Sequence, residues 1–79
     1  MTVKELKEEI ISMIAEATQT EMPITLNTHL IRELGLTSVE TMMLVSDLED
    51  RFACNIPGKL LRDVWTVGDL CEIVIHVLK

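Results

Sequence analysis

Few side chains in this sequence could do covalent chemistry, and their spacing removes most of them. Cys54 and Cys71 have no ligand-like spacing to each other or to His29 and His76. A metal site needs clustered donors, so none is expected. Both thiols sit in apolar stretches, where a reduced core cysteine is the plain reading. A catalytic histidine needs a nucleophile in reach and a carboxylate to orient it, and no motif around His29 or His76 supplies them. His76 and Lys79 suit the negative end of a helix dipole instead. Ser38 remains, within Gly35-Leu36-Thr37-Ser38-Val39-Glu40. Thr37 and Glu40 can form a capping box, which puts Ser38 just inside a helix start, where the core does not need its hydroxyl. Position alone also allows an ordinary N-terminal helix residue.

The elements that position Ser38 read as helices. The first starts at Thr2-x-x-Glu5, with Val3, Leu6, Ile10, Ile14 and Ala17 along one face. Residues 18–28 hold Pro23 and several threonines without a clean period, which predicts a long surface loop anchored by Met22, Ile24 and Leu26. Residues 30–34 fit a single turn that Gly35 ends. The second helix runs from the Thr37 box to about Phe52. Asn55-Ile56-Pro57-Gly58 breaks the chain, and residues 59–64 predict a short third helix. Trp65 is expected to pack at the junction before Thr66-x-x-Asp69, which opens a last helix with Leu70, Ile73, Val74 and Val77 as its stripe. The expected fold is all-α, a small four-helix bundle of three longer helices, one short third helix and a long first loop. Residues 1–79 form one domain in this reading.

The second helix is apolar on the wrong side. With Leu48 as reference, Thr41, Leu44, Val45 and Phe52 fall within about 60° and form the core stripe. Val39, Met42 and Met43 lie about 120–180° away, beside Ser46 and Asp50. A helix packed on a small core should be polar there. Exposed Met and Val beside carboxylates suit docking, because apolar groups give contact area and acids give steering. The competing reading is a helix covered on both sides.

Gly35-Leu36-Thr37-Ser38-Val39-Glu40-Thr41, then Leu44-Val45, Leu48-Glu49 and Phe52, resembles the acyl carrier protein signature. Ile56-Pro57 and Thr66-Val67-Gly68-Asp69-Leu70 resemble the segments that follow in that family. The resemblance implies that Ser38 receives a 4'-phosphopantetheine arm from coenzyme A through a separate Mg-dependent phosphopantetheinyl transferase. The arm's thiol would carry acyl groups as thioesters, for fatty-acid, polyketide or related biosynthesis. The alternative cargo is aminoacyl or peptidyl, in a dedicated pathway. Acyl- or aminoacyl-loading and processing enzymes would dock on Thr37, Val39, Glu40, Met42, Met43, Ser46, Asp47 and Asp50. A helix N-terminus is a fitting place for the arm's phosphodiester. The sequence departs from the family at Thr37, where Asp is usual, at Met43, often acidic, and in Lys59-Leu60-Leu61-Arg62-Asp63, commonly acidic and here basic.

Composition narrows the classes further. Apolar residues make up 48% of the 79, enough for one small core and too many for a disordered chain. A net charge of −6 repels nucleic-acid backbones and favours basic protein partners. The N-terminus lacks the uninterrupted apolar stretch of a signal peptide, and no segment is long enough to span a membrane. A cytoplasmic, reducing setting and a monomer are the default expectations. The chain is too short and too poor in polar clusters to enclose an active site, so an enzyme is not expected. Two rivals remain open: an unmodified acidic helical interaction module, and a small enzyme using Ser38 or a cysteine as nucleophile.

Overall fold

The computed structural model describes residues 2–78. Its three α-helices begin where the three boxes predict. α1 (Val3–Thr18) is capped by Thr2, whose Oγ1 accepts the Glu5 N–H at 3.1 Å while Glu5 Oε1 accepts the Thr2 N–H at 3.0 Å. α2 (Ser38–Phe52) repeats the arrangement with Thr37 and Glu40. At the start of α3 (Val67–Leu78), Thr66 Oγ1 accepts the Asp69 N–H, and Asp69 Oδ2 accepts those of Trp65 and Thr66. Each box satisfies donors that a helix start leaves open. Gln19 and Ala53 end α1 and α2 in left-handed conformations.

α1 packs on both α2 and α3. The core joins Leu6, Ile10 and Ile14 to Leu44, Val45 and Leu48, and to Val67, Leu70, Cys71 and Val74. Leu30, Leu36 and Ile56 complete it from the connections. Several stripe ends fall outside this core. Val3 is 52% exposed and Ala17 is also exposed; they stand near the two ends of α1, outside the Leu6, Ile10 and Ile14 contacts. Thr41 is half-buried, its Oγ1 turned back to the Thr37 carbonyl at 2.9 Å. Phe52, Ile73 and Val77 are half-buried at the margins. His76 stands in the last turn of α3, and Lys79 lies outside the described residues.

The expected third α-helix is instead a 3-10 segment, Gly58–Leu61. Pro57 gives it no side-chain cap, and the Leu60 N–H reaches the Pro57 carbonyl three residues back. One turn cannot offset the unfavourable nucleation of an α-helix, so the tighter form prevails.

The long loop is held mainly by backbone, not by the side chains expected. Met22 and Leu26 are exposed, and Ile24 alone of the three packs against the core. The Thr28 carbonyl accepts the Val67 N–H at 3.0 Å, and the Leu26 carbonyl accepts that of Gly68 at 2.8 Å. These are the first two open donors of α3, so the loop serves as that helix's cap. The Leu30 N–H donates to the Trp65 carbonyl at 2.8 Å, and the Leu36 N–H to the Leu30 carbonyl. Residues 30–34 form the predicted turn, closed by Gly35 at φ 68°, which only glycine adopts freely. The starts of α2 and α3 are thereby joined at one end of the bundle.

Candidate functional site

Ser38 is the first residue of α2 and is exposed. Thr37 Oγ1 takes the N–H of Glu40, and the Thr37 carbonyl takes both the N–H and the hydroxyl of Thr41. The Ser38 and Val39 N–H groups, first and second in the helix, have no intrahelical partner and remain available beside the Ser38 hydroxyl. Among the described residues that hydroxyl has no hydrogen-bond partner. It stands at the positive end of the helix dipole, with two spare donors for an anionic ester. An arm attached through a phosphodiester fits this local arrangement.

The apolar outer face of α2 is open. Val39 and Met42 are 67% exposed and Met43 is 63% exposed, so the reading of a helix covered on both sides does not hold. An open groove of about 540 Å³ runs beside them, lined also by Val45, Ser46 and Glu49 and walled opposite by Ile56, Gly58 and Leu61. On the other flank Glu40, Met43 and Asp47 meet Ala17, Leu36 and Leu44 around a hollow of about 140 Å³. Thr37 and Asp50 are exposed and line neither. The structure therefore gathers Val39, Met42, Met43 and Ser46 at one groove and places Glu40 and Asp47 across the ridge. Sequence reading missed Ile56, Gly58 and Leu61 as the facing wall. Their signal was the short apolar run around a Pro-Gly break.

The remaining candidates are structural in their contacts. His29 Nδ1 accepts the N–H groups of Ile31 and Arg32, at 3.3 and 2.9 Å, and its ring stacks on Trp65 with centroids 6.2 Å apart. Among the described residues it holds no nucleophile. Trp65 is 52% exposed, covered on one side by His29 and not packed into the junction as expected. Both cysteines are free; burial pushes the Cys71 thiol up to about 11, and burial then Glu49 raise that of Cys54. A second apolar hollow, about 430 Å³ and bounded by Val3, Leu6, Phe52, Ile75 and Leu78, lies at the opposite end of α2 from Ser38.

A family model described as "Phosphopantetheine attachment site" matches residues 8–74. The chain belongs to the acyl carrier protein family. It is 35% identical over 75 residues to the acyl carrier protein of Exiguobacterium sibiricum, covering 94% of this chain and 95% of that one. It is also 35% identical over 48 residues to an acyl carrier protein of Bradyrhizobium, 61% of each chain. A solved structure of a putative acyl carrier protein from Mycobacterium tuberculosis superposes with a TM-score of 0.84, at 31% identity, over 90% of this chain and 96% of the other. The chain is thus an acyl carrier protein with a phosphopantetheine attachment domain, and 4'-phosphopantetheine is its cofactor. Members of this family are carriers, not enzymes, and work with a phosphopantetheinyl transferase and acyl-handling enzymes. Among the described residues no helix is long and apolar enough to cross a membrane.

Proposed function

We propose that Ser38 Oγ is the attachment atom and that residues 1–79 act as one monomeric carrier domain. The reading is carried by a hydroxyl that is exposed, unpartnered and placed beside two spare N–H donors at a helix start. In loading, Oγ forms a new bond to the phosphorus next to the pantetheine of coenzyme A. The pyrophosphate bond breaks, 3',5'-ADP leaves, and the hydroxyl proton passes to the transferase. When attached, the arm supplies a thiol that carries the cargo as a thioester. Ser38 holds the tether, and the α2 start places it where bound groups reach several partners at high effective concentration.

Partners dock on the outer face of α2 in this reading, through Thr37, Val39, Glu40, Met42, Met43, Ser46, Asp47 and Asp50. Exposed Met43, with Lys59 on the 3-10 segment and Arg62 just after it, favours a dedicated acyl or aminoacyl pathway over general fatty-acid synthesis. The test is intact mass after incubation with coenzyme A, Mg²⁺ and a broad-specificity transferase. The wild type should gain one arm, mapped to Ser38, and Ser38→Ala none. An arm on another residue, or no arm on the folded wild type, sinks the assignment.

A further inference from the structure

The two flanks of the exposed α2 ridge carry opposite charge. With Leu48 facing the core, Glu40 and Asp47 stand about 80–100° round the helix, on the side of the narrower hollow. Seven residues apart, they line up along the axis at a separation of about 10 Å. Val39, Met42 and Met43 form the apolar ridge beside them. Across the wider groove stands the 3-10 segment, in which residues three apart eclipse. Gly58 and Leu61 share the groove side, and Lys59 on the segment and Arg62 just after it are both exposed, with Asp63 next in the chain.

Asp47, Lys59 and Arg62 have no ion-pair partner among the described residues, and Glu40 gives one carboxylate oxygen to the Thr37 N–H and keeps the other for solvent. Among the described residues Arg51–Glu9 is the one ion pair. Glu49, the carboxylate that lines the groove, accepts the Ile56 N–H at 2.8 Å. An overall charge of −6 would draw in any basic surface without orienting it. Acid and base held on opposite flanks of an apolar ridge do orient.

We infer that the docking partner presents a bipolar protein surface: an apolar projection for the groove, carboxylates over Lys59 and Arg62, and basic groups over Glu40 and Asp47. This rests on the reading of α2 as the docking face. Such a surface seats in one direction, since a half-turn about the normal sets like charges together.

Two synthetic helical peptides test it. Both have the same leucine stripe and zero net charge, one with Glu along one edge and Lys along the other, the second with the edges exchanged. Exchanging the edges demands the opposite direction in the groove. Each carries an N-terminal nitroxide and is titrated into ¹⁵N-labelled full chain bearing its arm. One peptide should broaden amides near Val39 and the other those near Glu49 and Ile56. Lys59→Glu with Arg62→Glu should weaken binding about fivefold, and the milder Gln pair should weaken it less. Broadening at the same end by both peptides, none at millimolar peptide, or unchanged affinity in folded charge variants overturns the inference. Failure of Ser38 to take the arm would instead sink the carrier assignment, and the orientation would still be read on unmodified chain.

Discussion

Glu49 Oε2 accepts the backbone N–H of Ile56 at 2.8 Å, reaching from the last turn of α2 across the chain reversal at Ala53. This bond ties the chain just before the 3-10 segment back to α2, beside the groove that Met42 lines. Glu49→Ala leaves a half-buried donor without its charged partner and should cost about 1–2 kcal/mol in a urea melt. Glu49→Gln, which keeps an acceptor, should cost less. Equal stability of Glu49→Ala and wild type would show that the groove wall stands without this tie.

Asp69 gives a second measurable tie, this one dependent on pH. The N–H groups of Trp65 and Thr66 hold its carboxyl below the ordinary value of 3.8. A carboxylate with a lowered folded pKa adds stability above its unfolded pKa and loses it as pH falls through the folded value. Wild-type stability should therefore drop as the pH is taken from about 4 downwards, more steeply than that of Asp69→Asn. Urea melts at a series of acid pH values compare the two slopes. Parallel slopes would contradict the assignment.

Gly68 and Gly58 should answer differently to the same change. A Cβ on Gly68 would stand 2.9 Å from the Leu26 carbonyl oxygen, which is backbone held by its own hydrogen bond to Gly68. Gly68→Ala should destabilise by about 1–3 kcal/mol through this crowding. Gly58 has nothing within 4 Å and no positive φ, so Gly58→Ala should leave the melting temperature unchanged or slightly raised. A neutral Gly68→Ala would mean that the loop is free to move off α3.

Met43→Glu tests the exposed face directly. The side chain is 63% exposed, so folding stability should change by no more than about 0.5 kcal/mol. Its neighbour Leu44 is 3% exposed, and Leu44→Ala should cost about 2–5 kcal/mol. A denaturant melt separates the two residues before any partner is known. Binding of the cognate loading enzyme to folded Met43→Glu should weaken, because a charge would have to be desolvated where an apolar contact was made.

The helix starts were legible because capping is local: Thr2, Thr37 and Thr66 each meet an acid three residues on, and the rest follows from short-range geometry. The period of α2 likewise separated Leu44 and Leu48 from Met42 and Met43. Residues whose placement depends on distant chain were not legible. Leu26 reads as an apolar anchor, yet its carbonyl does the holding, and no side-chain pattern reports which carbonyl will meet the α3 start. Trp65 stays in solvent because its own carbonyl and N–H are committed to Leu30 and Asp69, fixing the backbone with the indole outward. At Ser38 the sequence showed position and resemblance. The spare donors and the open hydroxyl became visible only with the box bonds assigned.

The stitching of the long loop to the start of α3 has a consequence for the order in which the protein folds. Thr28 pairs with Val67 and Leu30 with Trp65, partners separated by nearly half the chain. Closing such a loop loses chain entropy before any bond repays it, so these contacts belong to the late, non-local part of folding. The turn at 30–34 leans on the same bonds and leads through Leu36 into Ser38. During folding, α1 and α2 can meet while the end that displays Ser38 still lacks its support. That end closes only when the Thr28 and Leu30 pairs form, so a partner that reads the native Ser38 end meets it only once the start of α3 is in place.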